Sequence, residues 1–242
     1  MAISYPRPVK PVEYPSSDGQ PVAESDFQLK PMIYAVEALK IYFQERPDVY
    51  VSGNLFIYYE EGDPEAVVAP DVFVVIGTEK RERSSYFLWQ EPKGPDFAME
   101  ITSRRTRSKD QGPKRGTYAF LGVQEYFLYD PTGDYLIPPL QGLNLVGDQY
   151  QPLAGVTLPS GAYTVHSPVL GLDLRLEHGE LRFYAPSTGQ ILRSHGEAEQ
   201  ARLTAEQARQ AAEALAQREA AARQAAEARL AELEARLRAR GE

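Results

Sequence analysis

With 242 residues, of which 43% are hydrophobic, the chain can bury a real core, so wholesale disorder is excluded and one ordinary domain plus an appendage is expected. It has no cysteine, which excludes disulfides, thiolate metal sites and cysteine nucleophiles. No apolar run is long enough for a helical membrane span, and the opening residues are polar and proline-rich rather than signal-like, so a cytoplasmic setting is expected. The net charge of −8 argues against a simple nucleic-acid binder. From Glu197 onward nine acids face eight arginines, leaving 25 acids against 18 bases in residues 1–196, so the acidity lies in the main domain.

Residues 1–25 carry Pro6, Pro8, Pro11, Pro15 and Pro21 and read as an extended or disordered arm. Leu29, Ile33, Val36, Leu39 and Phe43 recur at spacings of three or four and predict a helix over 27–43. Val49 to Tyr59 reads as one strand interrupted near Gly53, followed by a turn at Glu61–Pro64. Val67 to Ile76 is apolar on both alternating faces, as suits a strand covered on both sides, and only Pro70 and Asp71 interrupt it. Residues 77–95 read as a loop, Phe97–Ile101 as a strand and 102–109 as a basic connection. A second helix is predicted over 111–121, with Asp110 as N-cap, Pro113 in its first turn and Gly122 ending it. Glu125–Tyr129 is the next strand, closed by Asp130 and Pro131.

The order is therefore helix, three strands, helix, strand. Strand-like pieces through 135–184, with turns at Gly147–Asp148, Pro159–Gly161 and His178–Gly179, predict an added β-meander. In the tail, Ala201, Ala205, Ala208, Ala212, Leu215, Glu219, Ala222 and Ala226 alternate spacings of four and three. Leu230, Leu233 and Leu237 resume after an extra step of four. That is a coiled-coil seam with one register shift, weak because most of its positions are alanine. The alternative is a solvated helix held by charge pairs.

Chemistry concentrates in three segments. Asp71 and Glu100 lie in strands otherwise too apolar for an unpaired carboxylate, so each needs a proton, a partner or a cation. Neighbouring strands lie about 4.8 Å apart, close enough for both acids to bind one hard divalent ion, Mg2+ or Mn2+. Lys114 shares a helix face with Tyr118 and Leu121, which places its ammonium above the carboxylates if that face packs on the sheet. Two carboxylates, a cation and a lysine are the parts of metal-assisted phosphodiester hydrolysis. The bland reading is a Pro-Asp turn and a structural Glu–Lys pair. Arg104, Arg105, Arg107 and Lys109 follow the glutamate strand and read either as phosphate contacts or as a solvated loop. His166, His178 and His195 have no metal-ligand spacing, and Tyr86 and Trp89 suit the edge of a core better than a base-stacking surface.

Four phrases carry a resemblance: PDVFVV at 70–75, GPDFAMEITS at 94–103, KRGTYAFLGVQEYFLYDP at 114–131 and SPVLGLDLRLEHGELRFYAPSTGQIL at 167–192. In order and spacing they resemble the Uma family of putative restriction endonucleases, within the PD-(D/E)XK superfamily, over roughly residues 27–192. The resemblance implies an α/β restriction-endonuclease-like core, a divalent metal, and Asp71 and Glu100 as ligands; the Ile101 carbonyl is a candidate third ligand. The expected activity is cleavage of DNA, and a homodimer is the expected assembly. One departure stands out, because the superfamily's lysine belongs two residues after the glutamate, where this chain has Thr102. Lys114 is its natural replacement. Thr102, Tyr118 and Glu37 are candidates for additional site residues. The expected organisation is an arm at 1–25, a nuclease-like domain at 26–192 and a coiled-coil helix at 196–242. The rival is a catalytically inactive nuclease-fold scaffold that gathers a coiled-coil partner through its tail.

Overall fold

The computed structural model describes residues 12–17 and 25–241, in two compact units, Met1–Ser194 and His195–Glu242. In the first unit, α1 (Asp26–Tyr42) precedes a six-stranded sheet of β1 (Val49–Ser52), β4 (Val72–Ile76), β6 (Phe97–Ile101), β7 (Glu125–Tyr129), β8 (Leu140–Val146) and β9 (Gln149–Pro152), which lie in that spatial order. β1, β4 and β6 pair antiparallel, and β6 and β7 pair parallel. A parallel pair needs a crossover. The crossover here is helical: α2 (Arg107–Lys109), a π turn (Asp110–Lys114) and α3 (Arg115–Phe120). The expected order of helix, three strands, helix and strand is thus present, with β2 (Ile57–Tyr58), β3 (Val67–Val68) and β5 (Tyr86–Phe87) set between its strands.

Each face of the central sheet has its own core. On one face Met32, Ala35, Ala38 and Leu39 of α1 meet Val72, Val74, Phe97, Met99 and Ile101, together with Leu172, Leu174, Leu181 and Phe183 of a second sheet. On the other, Tyr118 of α3 meets Phe73, Val75, Ala98, Tyr126 and Leu128. Alternation along β6 therefore sends Phe97, Met99 and Ile101 toward α1 and leaves Ala98 and Glu100 facing α3.

Several sequence expectations are corrected. Residues 49–59 are not one strand: β1 belongs to the central sheet, whereas β2 pairs with β3 and β5 in a separate three-stranded sheet. The break falls at Gly53 and at Asn54, whose φ of 50° is left-handed. Residues 67–76 divide in the same way into β3 and β4, so Asp71 sits in the bend that enters β4 rather than inside a strand. The 77–95 loop contains β5 and a 3-10 turn at Leu88–Gln90, with Tyr86 fully buried.

The meander also divides. β8 and β9 extend the central sheet, while β10 (Gly155–Thr157), β11 (Tyr163–Ser167), β12 (Leu172–Glu177), β13 (Glu180–Ala185) and β14 (Gln190–Ile191) form the five-stranded sheet. Asp110 is not an N-cap. Helical backbone already runs through it, and the turn before α2 closes as a capping box, with Thr106 N–H donating to Ser103 Oγ at 3.1 Å and Ser103 N–H donating to Thr106 Oγ1 at 3.0 Å. Gly122 does end α3, at φ 72°.

Of the expected arm, Pro6, Pro8, Pro11 and Pro21 lie outside the described residues. The described Tyr14 packs its ring 5.0 Å from Tyr58 and 5.5 Å from Trp89. Glu125, within the Gly-Val-Gln-Glu-Tyr phrase, is buried and accepts hydrogen bonds from the Ser167 hydroxyl and from Val169 N–H at 3.0 Å, so it ties β7 to the segment after β11. The second unit is one helix, α4 (His195–Arg240), about 70 Å long. Exposed pairs such as Arg209–Glu213 and Arg223–Glu227 line it, and Leu203, Leu215, Leu230 and Leu233 are exposed. No described helix is long and apolar enough to cross a membrane.

Gly53 joins fold to site. A Cβ there would lie 2.3 Å from the Asp71 carbonyl oxygen and 2.8 Å from Val36 Cγ2. Gly53→Ala should therefore cost about 1–3 kcal/mol, read as a lower urea midpoint. Gly116→Ala, where nothing lies within 4 Å, should be neutral or stabilising. Equal effects from the two changes would show that the Gly53 crossing is not close-packed.

Candidate active site

Strand register brings the two acids together. Val72 pairs with Met99 and Phe73 with Ala98, so Asp71, one residue before β4, continues the ladder to face Glu100. Asp71 Oδ2 accepts a hydrogen bond from Ile101 N–H at 2.7 Å. Glu100 is 1% exposed, and both of its oxygens are engaged. Lys114 Nζ donates to Oε2 at 2.7 Å, and Tyr118 Oη donates to Oε1 at 2.6 Å. Lys114 also reaches the Ala69 carbonyl and Asp110 Oδ1, each at 3.5 Å, and its side chain is 27% exposed. The structure therefore unites Asp71, Glu100, Lys114 and Tyr118 on the α3 face of the sheet.

The crossover helix sets this geometry. Its π turn places Asp110 and Lys114 one above the other, and Tyr126 Oη donates to the Asp110 carbonyl at 2.9 Å, pinning the turn to β7. Single π turns inside helices often mark functional sites, because they re-aim side chains. Asp110 is the residue that sequence reasoning missed: it looked like a cap, and only the inserted turn directs its carboxylate inward.

Electrostatics follow from burial. Burial raises Asp71 to about 6, against the opposing pull of the Lys114 ammonium and the Ile101 amide. Burial likewise raises Glu100 to about 8, again opposed by Lys114. Asp110 is raised by burial too. Burial acts to lower Lys114, but Glu100, Asp110 and Asp71 outweigh it, so the lysine is held above its usual value and stays charged.

The remaining candidates take other places. Thr102 is fully buried beside the cluster, and its Oγ1 has no hydrogen-bond partner among the described residues. The Ile101 carbonyl accepts a hydrogen bond from Gln28 Nε2 at 3.2 Å, so the α1 residue that reaches the site is Gln28. Glu37 instead lines a groove of about 550 Å3 with Tyr34, Tyr129 and Arg182. Arg104, Arg105, Arg107 and Lys109 are exposed on the segment between Glu100 and Asp110. His166 pairs with Asp173 at 2.8 Å in the five-stranded sheet.

Among the described residues no three His, Asp or Glu side chains form a ready-made metal cage. The donors nearest one another are two carboxylates and a main-chain carbonyl, all hard oxygens of the kind Mg2+ and Mn2+ take. The buried Thr102 hydroxyl lacks a hydrogen-bond partner among the described residues, and three carboxyl groups surround one ammonium, so the donor chemistry suits a divalent cation although no cage is formed.

Comparison with known proteins adds a family. The model of Uma2, described as "Putative restriction endonuclease", matches residues 8–178. Among solved structures, a putative nuclease belonging to DUF820 from Anabaena variabilis ATCC 29413 aligns at 19% identity over 55% of this chain and 70% of its own, with a TM-score of 0.37. That likeness is too loose to bear on function. No curated protein matches the chain.

Tyr118→Phe isolates one contact, because it keeps the ring that packs 5.0 Å from Tyr126 and deletes only the donor to Glu100. It should lower stability in urea by about 1.5–3 kcal/mol. Unchanged stability would mean that Lys114 alone satisfies Glu100.

Proposed function

We propose, for a chain that belongs to the Uma2 family, that the Asp71–Glu100–Lys114 cluster is the active site of a divalent-cation-dependent endonuclease hydrolysing DNA phosphodiester bonds. The family match supports a nuclease function. One observation carries the finer reading: an acid before β4, an acid in β6 and a lysine in the crossover helix reach one partly open point on an otherwise apolar face.

Asp71 and Glu100, with the Ile101 carbonyl, would hold Mg2+ or Mn2+. The bound ion supplies a water acidic enough to attack near neutral pH and offsets charge on the phosphate. Lys114 orients that water and steadies the charge that builds on the phosphoryl oxygens. Tyr118 holds the Glu100 carboxyl in its rotamer. Thr102 stands where the superfamily places its lysine, and the helix-borne Lys114 supplies the ammonium instead. Arg104, Arg105, Arg107 and Lys109 offer four exposed cations next to the site, a local basic strip within an acidic domain that suits contact with the phosphate backbone.

Asp71→Ala and Glu100→Ala should each abolish Mn2+ binding while leaving the fold intact, as read by isothermal titration calorimetry and circular dichroism. Unchanged affinity in both variants would remove the ligand assignment. Lys114→Ala should keep Mn2+ binding and lose cleavage. An alanine variant that cuts DNA as well as the wild type would refute the lysine's role.

The rival scaffold reading draws on one specific observation, the direct Lys114–Glu100 bond, which engages both groups from within the protein. It takes the lead if the purified chain cuts no DNA with either Mg2+ or Mn2+.

For the tail we propose weak self-association that supplements a homodimer made mainly by the main domain. The exposed Leu215, Leu230 and Leu233 lie on a seam otherwise built largely from alanine, with Glu219 at one position. Truncation after His195 should leave a folded domain that dimerises at high micromolar concentration and dissociates sooner on dilution. Sedimentation velocity decides this: a monomeric truncated chain makes the tail the main dimer contact, and a monomeric full chain removes the coiled coil.

A further inference from the structure

A metal ion on Glu100 would share the carboxylate with an ammonium already held there. Its Oε1 carries the Tyr118 hydroxyl and its Oε2 carries Lys114, so a metal ion on this carboxylate would compete with the ammonium for Oε2. A buried ammonium left without an acceptor is costly. The site holds a second acceptor for it. Asp110 is 1% exposed, and its Oδ1 has no hydrogen-bond partner among the described residues although it lies 3.5 Å from Lys114 Nζ. A charge-assisted N–H···O bond settles near 2.7–2.9 Å, so a movement of Nζ by under about 1 Å would complete it.

We propose that Asp110 is the receiving carboxylate for Lys114: when a divalent cation occupies Glu100, the ammonium passes to Asp110 Oδ1 and so stays in the site. Asp110 is then a positioning residue that acts through Lys114. The inference rests on the reading of Asp71 and Glu100 as ligands. It accounts for three features together. The π turn brings Asp110 and Lys114 onto one side of the helix, the Tyr126 hydroxyl fixes the Asp110 main chain, and Oδ1 stands in ion-pair range of a lysine whose short hydrogen bond goes to Glu100.

The test is a double-mutant cycle read by Mn2+ calorimetry on the full chain: wild type, Asp110→Asn, Lys114→Met and the double variant. With Lys114 present, loss of Asp110 leaves the ammonium competing for Glu100, and Mn2+ affinity should fall about tenfold or more. With Lys114 replaced by methionine the competitor is gone, and adding Asp110→Asn should change affinity by no more than about twofold. Equal losses in both backgrounds would mean that Asp110 acts as a direct ligand or as a distant charge, and the proposal would be overturned while the metal site stood. No Mn2+ binding by the wild type would overturn both.

The wild-type chain gives a second readout that needs no folded variant. On adding diamagnetic Mg2+, the Asp110 carboxyl carbon and the Lys114 ammonium resonances should shift together with Glu100. A shifted Glu100 beside an unmoved Asp110 overturns the proposal.

Discussion

A single glutamate, Glu100, buried in a central strand of a sheet covered on both sides, sets the demands that the side chains around it must meet. A carboxyl group at 1% exposure must be satisfied from inside the protein. The protein answers with two donors from one helix, Lys114 and Tyr118, four residues apart and therefore on the same helix face. That helix is also the crossover that makes β6 and β7 parallel. The requirement of the buried acid and the topology of the sheet are thus met by the same segment.

Around this pair the α3 face forms a graded polar layer within an apolar one. Three tyrosines each spend their hydroxyl on a group that would otherwise be stranded: Tyr118 on Glu100, Tyr126 on the Asp110 carbonyl and Tyr150 on the Val123 carbonyl. Their rings fill volume while their tips supply hydrogen bonds, which is how large aromatic residues make an ionic cluster tolerable inside a core. Asp71 lies at the seam where the small three-stranded sheet hands the chain to the central sheet, so its position depends on the Gly53 crossing as much as on β4.

Much of this was legible in the residues themselves. The apolar runs at Val72–Ile76, Phe97–Ile101 and Glu125–Tyr129 located the central strands, and the anomaly of acids beside such runs pointed to Asp71 and Glu100. The helix period placed Lys114 and Tyr118 on one side. What escaped reading were breaks in regularity. The divisions at Gly53–Asn54 and Ala69–Asp71 send short apolar pieces to different sheets, and strand propensity does not reveal which sheet a piece joins. Asp110 followed by Gln-Gly-Pro looked like a helix start, because a π turn has no sequence period of its own. Glu125 sits in the most recognisable phrase of the chain, yet its partners lie about forty residues later, at Ser167 and Val169.

The alternation of faces along β6 has a consequence for how the sheet pairs in the first place. In a sheet of period two, slipping one strand by a single residue exchanges its two faces. A slipped β6 would push the Glu100 carboxyl among Met32, Ala35 and Leu39 and bring Met99 or Ile101 opposite Lys114, stranding a polar group in hydrocarbon and an ammonium without its acceptor. An all-apolar strand would pay no comparable penalty, since valine and methionine suit either side. The buried glutamate is therefore also a proofreader of strand pairing, favouring the alignment of β4, β6 and β7 in which its carboxyl group finds its partners.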